Sequence, residues 1–202
     1  YSGEGSEGEF ADRYCGLIQT YIRDNNITSV VDLGCGDFTI GSRLSEGVLS
    51  YRGIDIVPEL IEYNTKTFGS ERITFECIDI VEGSLPAAQL CLVRQVLQHL
   101  SNAEIVTALK KLSMYPHVIV TEHVPVGYVA VPNKDKAHGP DQRLYDGSGV
   151  FLSEPPFSRA IEKTWELPYK EKEKFLLVLM KNPTALQTEG TSNSASRAQS
   201  AG

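Results

Sequence analysis

Asp32-Leu33-Gly34-Cys35-Gly36 places an acid and two closely spaced glycines directly after the β-branched run Ser29-Val30-Val31. A short apolar run of this kind reads as a buried parallel strand, and glycines at its end permit a tight turn into a helix. Such a turn leaves backbone N–H groups and the positive end of a helix dipole facing whatever binds there. Two cofactor classes use the arrangement. The dinucleotide fingerprint G-x-G-x-x-G/A fails here, because its last position, counted from Gly34, is Thr39. Asp32 argues the same way, since a carboxylate at the strand tip repels a pyrophosphate and suits a cationic ligand. A second acid, Asp55, ends the run Tyr51-Arg52-Gly53-Ile54-Asp55-Ile56 and follows Gly36 by 19 residues. That is close to the spacing at which a carboxylate meets both hydroxyls of a ribose.

Asp32-Leu33-Gly34-Cys35-Gly36 resembles the first motif of the Rossmann-like (class I) S-adenosylmethionine-dependent methyltransferases. That family commonly has a third glycine where this chain has Phe38. S-adenosylmethionine carries a sulfonium and an ammonium and no phosphate, which agrees with Asp32. The resemblance spans roughly residues 10 to 122. It implies that Asp32, Gly34, Cys35 and Gly36 hold the cofactor's amino-acid end and that Asp55, with Ile56 beside it, holds the ribose. Asp79 resembles the acid that contacts the adenine amino group, and Ile80 the residue that covers the ring. The run Leu90 to Leu100 is similar to the family's fourth strand and following turn, with Arg94 among the cofactor contacts. The implied reaction is methyl transfer to a small-molecule acceptor, a hydroxyl by preference, through in-line displacement.

These residues need a scaffold, and the hydrophobic periodicity supplies one. Helical spacing runs from Phe10 to about Asn25, from Asp37 to about Glu46, and from Pro58 to Phe68, where Pro58 suits a first helical turn. Ser101-Asn102-Ala103-Glu104 is a capping box opening a further helix. Strands read at 29–33, 51–56, 73–77, 90–94 and 117–121, and two more, 161–167 and 175–180, flank a short charged turn. This order predicts an α/β, doubly wound, mostly parallel seven-stranded sheet with helices on both faces and a C-terminal antiparallel hairpin. Residues 1–182 read as one domain, the first nine as a loose lead-in, and 183–202, poor in large apolar side chains, as a disordered tail.

Residues 124–160 break the alternation, holding five of the ten prolines without a helical period. A long irregular segment in a compact domain is usually functional or disordered, so this insert is expected to form the acceptor pocket. It contributes His138, Asp141, Arg143 and Tyr145, while Arg94, Gln95, Glu122 and His123 stand at strand ends. Gln95, Asp141, Arg143 and Tyr145 are the expected acceptor contacts. Arg94 and Arg143 can each clamp an anionic group or serve as structural ion pairs. A hydroxyl acceptor needs a base, and His99, His123 and His138 are the candidates.

Composition limits the alternatives. The formal charge of -7, with scattered Lys and Arg, argues against nucleic acid as a partner. No run reaches the length of a membrane span, and the expected location is cytoplasmic. Cys15, Cys35, Cys77 and Cys91 lack metal-ligand spacing and read as reduced thiols. Competing readings are a cofactor-binding protein without turnover, a nicotinamide-dependent oxidoreductase, and an aminopropyl-transfer enzyme on a similar sheet.

Overall fold

A computed structural model of the chain describes residues 8–180 and 182, so the expected tail from 183 onward and most of the lead-in lie outside the described residues. Seven strands form one sheet: β1 (Ser29–Leu33), β2 (Ser50–Asp55), β3 (Ile73–Cys77), β4 (Leu90–Arg94), β5 (His117–Pro125), β6 (Ile161–Lys170) and β7 (Glu173–Met180). Their order is β3-β2-β1-β4-β5-β7-β6. The first five pair in parallel, and β7 runs antiparallel to both β5 and β6. β1 and β4 are almost entirely buried, which explains their continuous apolar runs. The chain winds outward in opposite directions from β1 and β4, and their shared boundary is the switch point at which such sheets bind ligands.

Helices α1 (Gly8–Asp24), α2 (Thr39–Leu44) and α3 (Pro58–Phe68) pack on one face around Tyr14, Ile18, Phe38, Leu44 and Ile61. α4 (Asn102–Leu112) covers the other face with Ile105, Leu109 and Leu112. Irregular chain completes that second layer: Ile78 to Ala88 on one side of α4, and Val150, Leu152 and Phe157 from the insert on the other. No helix links β3 to β4. The capping box forms as the sequence suggests, with Ser101 and Glu104 each bonding the other's backbone or side chain.

Several boundaries differ from the sequence reading: α1 opens at Gly8, inside the expected lead-in, and β2 spans Ser50–Asp55 rather than 51–56. β5 continues to Pro125 because β7 pairs with it along that whole length. The β6–β7 strands close to a two-residue turn at Glu171 and Lys172. The second helix starts at Thr39 rather than Asp37, because Phe38 takes a left-handed conformation with φ 65°. The family's third glycine would adopt that geometry freely; here a phenylalanine does, with its ring packed edge-on to Tyr51 and Phe75 and against Phe68. A left-handed non-glycine residue costs about 1–2 kcal/mol, while removing a buried Phe ring costs about 3–5 kcal/mol. Phe38→Gly should therefore destabilise the protein by about 2–3 kcal/mol net, measured as a lowered urea midpoint. An unchanged midpoint would mean that the ring contributes nothing beyond its own strain.

Candidate active site

The register aligns the strand tips. Leu33 lies beside Ile54 and Val93, so Gly34, Asp55 and Arg94 follow as a row across the switch point. Beyond that row opens a cleft of about 840 Å³. Gly34 and Gly36 form its floor, Asp55, Ile56, Asp79 and Ile80 one wall, and Arg94, Gln95, Gln98 and His99 the other. His138, Gly139, Pro140 and Gln142 of the insert complete the rim. Gly34 has φ 79°, and a Cβ there would overlap Val96 Cγ2, so only glycine fits the turn without displacing the wall.

Asp55 organises this floor. Its Oδ2 accepts the Gly36 N–H at 3.0 Å and its Oδ1 the Val57 N–H at 3.1 Å. An ionised carboxylate has about four acceptor positions, so both oxygens keep capacity toward the cleft. Asn64 holds the loop from below, donating to the Gly36 carbonyl at 2.8 Å from a fully buried position on α3. Asn64 falls within the helical run from Pro58 to Phe68, and a polar residue on the buried face of that run is the sequence signal for it. Asp79 accepts the Val81 N–H at 2.7 Å on Oδ1, which orients it at the end of β3.

Asp32 is buried beneath the floor instead of lining the cleft, and accepts the Tyr51 hydroxyl at 2.8 Å. Burial raises its pKa, while the Tyr51 hydrogen bond and the nearby Arg94 charge pull it back. Arg94 bridges the two environments: it lines the cleft and lies 5.8 Å from the centroid of the buried Tyr14 ring. Cys35 is also buried, away from the cleft. Gln95 lines it from a strained backbone position, φ 56°, with its N–H bonded to the Thr121 carbonyl at 2.8 Å.

The segment after β4 is gripped by two buried ionisable side chains. Glu122 on β5 accepts the N–H groups of Leu97 at 2.9 Å and Gln98 at 3.2 Å. Arg143, only 2% exposed, donates to the carbonyls of Gln98, Leu100 and Lys134 and to Asn102 Oδ1. The expected role of Arg143 at an acceptor is thus corrected: its guanidinium is occupied by backbone carbonyls and does not line the cleft. Burial pushes Glu122 up to about 8, against the pull of those two N–H groups and of Arg143. The folded protein consequently holds the Glu122 proton more tightly than the unfolded chain does. This contribution to stability is complete below the ordinary glutamate range and is lost as pH rises through about 8. His99 and His123, whose values burial lowers, contribute with the opposite slope at lower pH. The difference in urea midpoint between wild type and Glu122→Gln should therefore shrink or reverse between pH 5 and pH 8, by up to about 1.4 kcal/mol per pH unit. A difference independent of pH would overturn this account.

The insert is well organised without helices. Asn133, buried at φ 56°, donates to the carbonyls of Phe151 and Pro155 and accepts the Phe151 N–H. Asp141 and Tyr145 are exposed and do not line the cleft, whereas their neighbour Gln142 does. His123 is likewise not brought to the cleft: it stacks on Phe175 and pairs with Glu173 at 3.1 Å on the α1 side of the sheet. His99 and His138 both line it.

No family model matches the sequence, and no curated protein matches it. Solved structures do. The N-methyltransferase NodS from Bradyrhizobium japonicum WM9, in complex with S-adenosyl-L-homocysteine, superimposes with a TM-score of 0.65 at 16% identity, covering 86% of this chain and 87% of that one. Magnesium protoporphyrin IX methyltransferase from Synechocystis PCC 6803 matches with 0.56 at 14% identity, over 84% and 83%. This chain has the class I methyltransferase fold. That fold also carries other chemistry, since the [4+2]-cyclase SpnF matches with a TM-score of 0.64 at 14% identity, over 91% and 86%. The fold alone therefore does not give the activity, which has to be argued from the side chains at the strand tips.

Proposed function

We propose that this protein transfers a methyl group from S-adenosylmethionine to a small-molecule acceptor, with a hydroxyl oxygen as the accepting atom. The observation that carries the reading is the row of strand tips in which Gly34, packed under Val96, lines the cleft and Asp55, beside it, lines it too with both oxygens held by backbone N–H groups. Neighbours of the same fold are described with S-adenosyl-L-homocysteine bound, which supports the same ligand here. Asp55 would accept the ribose hydroxyls, Asp79 and Ile80 would frame the adenine, and Arg94 with the Asp32–Tyr51 pair would set the field at the amino-acid end. A sulfonium methyl is already activated, so the protein's task is to align the acceptor in line and to exclude water. The cleft's remaining polar groups, Gln95, Gln98, His99, His138 and Gln142, are amides and imidazoles suited to hydrogen bonding with hydroxyl groups. Among the described residues no helix is long and apolar enough to cross a membrane.

Two measurements test the proposal. Calorimetry should show S-adenosylhomocysteine binding and NAD not binding. Tritiated S-adenosylmethionine, offered with pooled small hydroxyl compounds, should give labelled product. Binding without any transferred label would favour a protein that holds the nucleoside without transferring its methyl group.

A further inference from the structure

Three histidines compete for the role of base, and their surroundings separate them. His123 lies outside the cleft, on the opposite side of the sheet from α4. His99 lines the cleft, but its Nδ1 is buried without a hydrogen-bond partner, and its Nε2 sits 3.4 Å from the Gln98 amide nitrogen. The carbonyls of Gly139 and Pro140 crowd that ring, and burial still leaves it neutral in preference to charged. Its Nδ1 is thus closed to an acceptor, and its Nε2 faces the Gln98 amide rather than a carboxylate. His138 is different: its side chain is 55% exposed, it stands on the cleft rim, and its Nδ1 lies 3.0 Å from Glu104 Oε1.

Glu104 is itself immobilised. Its Oε2 accepts both the Ser101 N–H and the Ser101 hydroxyl at 2.7 Å, as the third residue of the α4 capping box. Those hydrogen bonds hold its carboxyl at about 2, well below the ordinary glutamate range, so it remains an anion at every working pH. The same helix end is tied to the insert: Asn102 N–H donates to Asp135, and Asn102 Nδ2 to the Asn133 carbonyl. His138 is thereby held against a fixed carboxylate by two elements far apart in sequence. With Nδ1–H donated to Glu104, the lone pair is on Nε2, the nitrogen left for the cleft.

Resting on the methyl-transfer reading above, we propose that His138 is the general base that takes the proton of a neutral hydroxyl acceptor on Nε2, and that Glu104 is the positioning residue that fixes its tautomer. As the acceptor oxygen bonds to the methyl carbon, the sulfur–methyl bond breaks and its electron pair stays on sulfur, giving the neutral thioether. The hydroxyl proton passes to Nε2, and the resulting imidazolium is stabilised by Glu104. The proton is released to solvent after the products leave. A carboxylate–imidazole pair of this kind is the general arrangement for activating a hydroxyl.

The test has three arms, all on the full chain. Calorimetry with S-adenosylhomocysteine should give affinities within about twofold for wild type, His138→Asn and Glu104→Gln, since neither residue is assigned to the nucleoside; no binding by wild type would sink the methyl-transfer reading instead. Long-range nitrogen–proton NMR of wild type should show the Nδ1–H tautomer for His138, with Glu104→Gln shifting it toward a mixture. A wild-type Nε2–H tautomer would overturn the proposal, because the lone pair would then face the carboxylate. With catechol and myo-inositol as probe acceptors, His138→Asn should lower label transfer about 100-fold or more, in the range typical of a lost general base, and Glu104→Gln should lower kcat with little change in KM. Turnover of either probe at the wild-type rate by His138→Asn would also overturn it. Should wild type turn over neither probe, the tautomer decides alone.

Discussion

Arg143→Met should destabilise the protein by about 3–5 kcal/mol, the usual result of removing one partner from a buried charged network. In a chain of 202 residues that lowers Tm by roughly 6–20 °C. The methionine fills much of the space but cannot donate, so the carbonyls of Gln98, Leu100 and Lys134 lose their partner inside the protein. Glu122 loses the nearby cation that restrains its upward shift. Arg143→Lys should recover less than half of the loss, because one ammonium cannot reproduce a planar fork spread over several carbonyls and the Asn102 amide oxygen. If Arg143 instead clamped an anionic acceptor, truncation would leave Tm almost unchanged and would only raise KM. A thermal melt read beside the S-adenosylhomocysteine affinity separates these outcomes. The variant should also bind that ligand more weakly, since Gln98, His99 and Leu100 form part of the cleft wall.

Arg143 shows where a sequence stops being informative. Its type and its place in a proline-rich insert fit a ligand contact as well as a structural brace, and what decides is a set of carbonyls more than forty positions away. The same holds for Glu122, bonded to N–H groups 25 and 24 residues earlier, and for the Glu104–His138 pair, 34 residues apart. Only Glu104's local role, the capping box, is written in adjacent residues. The features that could be read were local or periodic: apolar runs that became β1, β4 and β5, the glycines that turn after β1, and the acids that end strands. Gly34, Asp55 and Asp79 are recognisable because a parallel sheet places every strand's carboxyl end on one edge, whatever the intervening chain does. The burial of Asp32 under the floor follows from the side-chain alternation of β1 and from Tyr51 on the neighbouring strand, neither of which the motif itself displays. Phe38 departs from the family's glycine in residue type and keeps the glycine's backbone geometry, something only a structure reveals.

Asp55→Ala should weaken S-adenosylhomocysteine binding about 100-fold or more while moving the urea midpoint little. Hydrogen bonds from two ribose hydroxyls to a carboxylate are each worth about 1.5–3 kcal/mol, and 100-fold in Kd corresponds to about 2.8 kcal/mol. Part of the loss would be indirect, because Gly36 N–H gives up the partner that holds the glycine loop in its ligand-ready form. That N–H and the one of Val57 lie near solvent, so water can replace the carboxylate and folding is spared. Separating the direct part requires a ligand missing the same interaction. A 2′-deoxy analogue of S-adenosylhomocysteine should bind wild type more weakly than the parent, but Asp55→Ala should bind the two alike, since the group that distinguishes them is gone. If Asp55→Ala still discriminated against the deoxy compound as strongly as wild type does, some other residue would be holding the sugar. The row of strand tips would then no longer support a nucleoside lying across it, however well the fold superimposes.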